Sequence, residues 1–114
     1  MGTKAYTEDL NAEQYTRSAG VLSEYSPSEQ FGIVEGIAPG NSILDIGCNN
    51  GRLYNTANLV HGNLTYTGID MDARALEQAK EKYPEIEVIN DVYPSEKIKG
   101  QQFDVVTMYA VFQL

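Results

Sequence analysis

The segment that most restricts the fold is Ser42-Ile43-Leu44-Asp45-Ile46, followed at once by Gly47-Cys48-Asn49-Asn50-Gly51. The first five residues are apolar or β-branched but for Ser42 and Asp45, and turn residues bound them on both sides, which predicts a buried strand. The loop leads into Arg52 to Val60, where Leu53, Ala57 and Val60 can share one helical face. Gly47 and Gly51 have no Cβ, so they take positive φ easily and let backbone come close to a ligand. A strand that turns through glycines into a helix opens a βαβ unit. Ligands in open α/β sheets bind at the carboxyl ends of such strands, where strand order reverses.

The remaining chain continues the alternation. Leu64 to Ile69 reads as a second strand, and Asp72 to Tyr83 as a helix with Asp72 as N-cap. Ala73, Leu76, Ala79 and Lys80 fall at helical spacing there, and Pro84 stops the helix. Ile86 to Ile89 reads as a third strand, ending in Asn90-Asp91. Pro94 to Gln102 is charged and fits either a loop or a turn of helix, and Phe103 to Tyr109 reads as a fourth strand. Upstream, Ser26-Pro27-Ser28-Glu29 is a capping box with proline at the first helical position. It starts a helix whose apolar face is expected to hold Phe31, Ile33, Val34 and Ile37, weakened by Gly36 and ended by Pro39-Gly40. Asp9 to Ala19 can form a short helix with Leu10, Tyr15 and Ala19 on its packing side. Strands alternating with helices of this length predict an α/β fold with a mostly parallel sheet.

Composition bounds the function. The 114 residues suffice for one domain, and the apolar and charged fractions of 42% and 21% are those of ordinary globular proteins. A net charge of −8 repels phosphate backbones and anionic lipid, which disfavours nucleic acid as a direct partner. The one cysteine, Cys48, excludes an internal disulfide, and with the one histidine it makes no metal-spaced cluster, so no metal is expected. His61, beside Gly62-Asn63, reads as a solvated loop residue. No stretch has the apolar length of a membrane span or a secretory signal, and the cytoplasm is the default location.

The glycine loop also sorts ligands. It has no Lys-Ser or Lys-Thr, so it is not a P-loop. A dinucleotide fingerprint needs Gly-x-Gly-x-x-Gly, and here Asn49 holds the second glycine place with no glycine three residues later. Asp45 adds negative charge near the turn, which opposes a pyrophosphate and suits a ligand with cationic groups.

Leu44-Asp45-Ile46-Gly47-Cys48-Asn49-Asn50-Gly51 resembles motif I of the class I (Rossmann-like) S-adenosylmethionine-dependent methyltransferases. The family's usual glycine is replaced by Asn49, a residue that tolerates the left-handed region. Asp70, at the end of the second strand in Gly68-Ile69-Asp70-Met71-Asp72, resembles the acid that accepts the two ribose hydroxyls. Met71 resembles its apolar neighbour against adenine. Asp91 and Val92 match the acid and backbone amide that meet the adenine ring, and Met108 the place where backbone nears the methionine part. Tyr15 is similar to an N-terminal tyrosine that covers the cofactor carboxylate.

The resemblance implies a Rossmann-like sheet of order 3-2-1-4 over residues 26–114, with residues 1–25 as a lid or helical segment. It implies S-adenosyl-L-methionine as cofactor and S-adenosyl-L-homocysteine as product, and a set of cofactor contacts drawn from Asp45, Gly47, Cys48, Asn49, Gly51, Asp70, Met71, Asp91, Val92, Met108 and Tyr15. In that family further strands follow and build the acceptor pocket, so this chain is expected to be the cofactor-binding half, binding without turnover by itself. Its fourth strand is expected to be an exposed edge through which copies could pair. No acceptor and no catalytic base can be named, Tyr109 and Gln113 reading as packing and edge residues. A nicotinamide-dependent oxidoreductase fragment and a non-catalytic interaction module with the same fold remain as alternatives.

Overall fold

In a computed structural model, which describes residues 19–109, β1 (Ser42–Ile46), β2 (Thr65–Asp70), β3 (Glu87–Asn90) and β4 (Val105–Thr107) form one parallel sheet. Its order is β3-β2-β1-β4, with β1 and β2 in the middle. That is the parallel α/β arrangement expected from strands alternating with helices, in the Rossmann-like order that the resemblance implies. The chain passes from β1 to β2 through α2 (Arg52–His61) and from β2 to β3 through α3 (Ala73–Lys82). No helix among the described residues is long and apolar enough to cross a membrane.

Contacts divide the described residues into two units, one made of residues 42–53 and 65–109 and the other of residues 19–41 and 54–64. The first holds the whole sheet. On one of its faces Leu44, Ile46 and Ile69 are buried together with Ile98, and Ile89 and Phe103 pack against them. The alternation of a strand puts Leu44 and Ile46 on the same side, which leaves Ile43 and Asp45 for the other. Ile98 comes from a short 3₁₀ turn, Glu96–Ile98, that Ser95 caps by accepting from the Lys97 amide. That turn resolves the ambiguous charged stretch before β4.

β4 is shorter than the expected Phe103 to Tyr109 because it pairs with β1 only from Val105 to Thr107. At its start the Asp104 side chain is already committed. Asp104 Oδ2 accepts from the Ser42 amide at 2.8 Å and from the Ser42 hydroxyl at 3.2 Å, and the Asp104 amide donates to Ser42 Oγ at 2.9 Å. The reciprocal pair closes the ladder where regular strand hydrogen bonds begin. Beyond it β4 is an edge strand with Val106 half exposed.

α3 starts as its sequence requires, with Asp72 Oδ1 accepting from the Arg74 and Ala75 amides. Its buried side is Ala75, Leu76 and Ala79. Ala73, expected on that side, faces solvent, since it lies two residues and about 200° around the helix from Ala75. Lys80 is not on the packing face either. Its ammonium reaches past the helix end to the carbonyls of Pro84 and Ile86, at 2.9 and 2.6 Å, and fixes the link into β3.

The other unit contains α1 (Pro27–Gly36) and most of α2. Ser26 and Glu29 form the expected capping box, the Ser26 hydroxyl accepting from the Glu29 amide and the Ser26 amide donating to Glu29 Oε1. Ile33 and Ile37 are buried, but Phe31 is 69% exposed, because it projects from the opposite side of the helix to Ile33. Leu53, Ala57 and Val60 of α2 are buried as the spacing required. His61 is not a solvated loop residue. It is the last residue of α2, partly buried, with Nε2 2.7 Å from the Ile33 carbonyl. Except for residue 19, the Asp9 to Ala19 segment lies outside the described residues.

Candidate functional site

The site is built at the carboxyl ends of β1, β2 and β3. The turn after β1 takes its shape from three residues with positive φ: Gly47 at 75°, Asn49 at 52° and Gly51 at 84°. Asparagine in the place of a glycine therefore keeps the left-handed conformation that the turn needs. The Gly47 and Cys48 amides both donate to the Ile69 carbonyl, at 2.9 and 3.2 Å, which ties the turn to the end of β2.

Asp70 joins two loops. One carboxylate oxygen accepts from the Asn49 amide and the other from the Asp72 amide, each at 2.8 Å. A carboxylate offers about four lone-pair directions, so both oxygens can still accept from a ligand. Asp91 is held by its own turn: Oδ1 accepts from the Val92 amide and Oδ2 from the Ser95 hydroxyl, at 2.8 and 2.7 Å. The Ser95 hydroxyl first and the Val92 amide second keep its carboxyl below the usual carboxylate range, so it is charged at neutral pH.

These strand ends enclose a crevice of about 510 Å³. Its lining is Ile46, Gly47, Asn49, Ile69, Asp70, Met71, Asp91, Val92, Tyr93 and Met108. Two carboxylates and no lysine, arginine or histidine are in that set. Four of its apolar residues are unusually open for their type, with Met71 73%, Tyr93 50%, Val92 49% and Met108 43% exposed. Apolar surface gathered around a concave acidic site gains free energy when a ligand removes it from water. The described residues contain no cluster suited to a metal ion.

The crevice brings together Gly47, Asn49, Asp70, Met71, Asp91, Val92 and Met108 from the residues singled out in the sequence. Asp45, Cys48 and Gly51 do not line it. Asp45 is on the opposite face of β1 from Ile46 and is only 3% exposed; its two oxygens accept from the Tyr66 and Thr107 hydroxyls. Burial is the main cause that pushes its carboxyl up to about 6, against the lowering effect of those two donors. Cys48 is buried above Gly68, and burial, with Asp45 and Asp70 nearby, raises its thiol to about 12. Gly51 leaves room for α3: a Cβ there would come within 3.3 Å of the Tyr83 ring and 3.5 Å of Ala79 Cβ. Tyr15 lies outside the described residues. Ile46, Ile69 and Tyr93 line the crevice without having stood out in the sequence, although each directly precedes or follows a residue that did.

Residues 44–114 match the family model of a methyltransferase domain. The 235L protein of Invertebrate iridescent virus 6, which carries the name of a methyltransferase, is 27% identical over 99 residues, covering 87% of this chain and 36% of that protein. Among solved structures, coclaurine N-methyltransferase bound to N-methylheliamine and SAH superposes with a TM-score of 0.61 at 20% identity, covering 80% of this chain and 26% of that one. The plantazolicin methyltransferase BpumL in complex with SAH gives 0.56 at 20% identity, over 93% and 39% of the two chains. A cyclopropane-fatty-acyl-phospholipid synthase-like protein from Lactobacillus casei ATCC 334 gives 0.56 at 26% identity, over 83% and 38%. The chain spans well under half the length of each of these relatives.

Proposed function

The chain belongs to the methyltransferase-domain family, and on that premise we propose that its strand-end crevice binds S-adenosyl-L-methionine as the cofactor-holding portion of a methyltransferase. The observation that carries this reading is the pairing of two carboxylates with open apolar walls in one crevice that has no cation. A pyrophosphate would meet uncompensated repulsion there. An adenosyl group with a positively charged sulfur and an ammonium meets the opposite: favourable charge and apolar surface to cover.

In this reading Asp70 accepts the two ribose hydroxyls, using lone pairs left free by the Asn49 and Asp72 amides. Met71 and Val92 hold the adenine ring between them, and Asp91 accepts from its amino group. Gly47 and Asn49 keep backbone close to the amino-acid end, and Met108, just after β4, bounds that end. The cofactor supplies an electrophilic methyl group, so the protein's part is to bind, orient and exclude water. The SAH in two structural neighbours supports the ligand class. The methyl acceptor is a property of the whole enzyme, and the crevice residues do not specify it.

Calorimetric titration with S-adenosyl-L-homocysteine and, separately, with NAD tests the proposal. Heat with the first alone is expected; binding of the dinucleotide alone would refute it. Asp70→Ala should weaken S-adenosyl-L-homocysteine by roughly ten- to a hundredfold, the worth of charge-assisted hydrogen bonds of about 1.5–3 kcal/mol. Because Asp70 also holds two backbone amides, the variant's unfolding midpoint is measured in parallel.

A further inference from the structure

Asn90 is the last residue of β3 and the register partner of Asp70 across the β2–β3 ladder. Its side-chain amide donates to two successive carbonyls of the neighbouring loop, Asp70 O at 3.1 Å and Met71 O at 3.0 Å. Two acceptors facing one side chain require the nitrogen, not the oxygen, to point at them, and both amide hydrogens are then used. One residue further on, the Asp91 amide donates to the same Asp70 carbonyl at 3.1 Å. The loop that bears Asp70 and Met71 is thus tied to the one that bears Asp91 and Val92, while Asn90 itself is not part of the crevice lining. Met71 and Val92 are both open apolar residues, one on each loop.

We propose that Asn90 is a positioning residue that sets the gap between Met71 and Val92, and through it the fit of a flat heteroaromatic ring between the two loops. The inference rests on the cofactor reading above. Without the amide the two loops keep only one direct backbone hydrogen bond at this point, and the gap is free to widen. Asn90→Asp is the sharper change, since it keeps the shape but turns a double donor into an acceptor-only group facing two carbonyl oxygens. Asp70 and Asp91 add negative charge on the same strand ends, and the Lys97 ammonium, 3.3 Å from the Asn90 carbonyl, offsets only part of it.

The test uses the full chain with Asn90→Ala and Asn90→Asp, titrated with S-adenosyl-L-homocysteine at pH 7.5, with backbone amide spectra recorded for each. Asn90→Ala should bind on the order of tenfold more weakly, the effect of losing two hydrogen bonds at a loop junction. Asn90→Asp, which puts an acceptor-only group in front of the same two carbonyls, should bind more weakly still. The Met71, Asp72, Asp91 and Val92 amide signals should shift in Asn90→Ala while those of β1 do not. Wild-type affinity in both variants, Asn90→Asp binding as well as or better than Asn90→Ala, or unmoved Met71 and Val92 signals would overturn the proposal. If the wild type gives no heat, the cofactor reading fails instead, and the amide signals still decide whether Asn90 holds the two loops.

Discussion

A Cβ at Gly68 would come within 2.5 Å of Cys48 Sγ and 2.9 Å of Cys48 Cβ, so the glycine in the middle of β2 is required by the cysteine of the β1 turn. The Tyr66 ring is nearly as close, at 3.1 Å. Gly68 is register partner to Asp45 and Val88, and it is the bare position in that row across the sheet. The space it leaves is where the turn that lines the crevice rests on the sheet.

Gly68→Ala should therefore destabilise the protein by about 1–3 kcal/mol, the usual cost of overpacking a filled interior. Removing Cys48 Sγ as well, in Gly68→Ala/Cys48→Ala, should recover part of the loss, because the closest contact is gone while the Cβ contact remains. Urea unfolding of the two single variants and the double gives the coupling directly. Strict additivity would mean that Cys48 is not what the glycine accommodates.

The same burial sets the chemistry of Cys48. A thiol raised to about 12 carries almost no thiolate at pH 8, and only the thiolate alkylates quickly. Iodoacetamide at pH 8 should leave Cys48 unmodified in the folded protein over the time in which it labels fully in guanidinium chloride. Mass spectrometry reads both states. Rapid labelling of the native protein would place the thiol in solvent.

Asp45 makes stability depend on pH in a definite direction. Its carboxyl titrates near 6 in the folded protein and at an ordinary 3.8 when unfolded, so between these values the folded state holds a proton that the unfolded chain has lost. Its contribution is complete below pH 3.8 and declines as pH rises through 6, by roughly 3 kcal/mol at about 1.4 kcal/mol per unit. Asp45→Asn cannot ionise. The stability difference between Asp45→Asn and wild type should move in favour of the variant from pH 4 to pH 7, measured from urea midpoints. A difference that stays flat over that range would show that Asp45 does not titrate as its burial demands.

The strands and most of the crevice lining are legible in the sequence because local patterns carry them, whereas the strand order comes from the resemblance to the methyltransferase family. A glycine turn after a β-branched run, and acids at the next two strand ends, lie within a few residues of the structures they specify. Asp45 was not legible in this way. Its charge next to the turn pointed to the ligand, but the hydroxyls that claim it lie 21 and 62 residues further along, on Tyr66 and Thr107. The motif places Cys48 and Gly51 beside the ligand, whereas the structure packs Cys48 over Gly68 and Gly51, with its positive φ, against Tyr83 and Ala79. Asn90 does not stand out, because an asparagine at a strand end looks like any turn residue until the two carbonyls opposite it are known. In each case the missing information was a partner distant in sequence, not a residue type.

His61 shows the same dependence on a distant partner, 28 residues away in sequence. The Ile33 carbonyl that it meets belongs to the last turn of α1, where intrahelical donors run out. A carbonyl can only accept, so Nε2 must carry the hydrogen and donate. Burial pushes the imidazole below its ordinary 6.5, outweighing the Ile33 hydrogen bond and the Glu35 carboxylate, which both favour the charged form. The sign is then opposite to that of Asp45: the neutral ring's contribution is complete above pH 6.5 and is lost as pH falls through its lowered folded value. His61→Ala should cost about 1–2 kcal/mol at pH 7.5, from the lost hydrogen bond and the carbonyl left without it, and less at pH 5. The imidazole proton signals should titrate with a midpoint below 6.5, and a midpoint above that value would mean that the ring is held in its charged form.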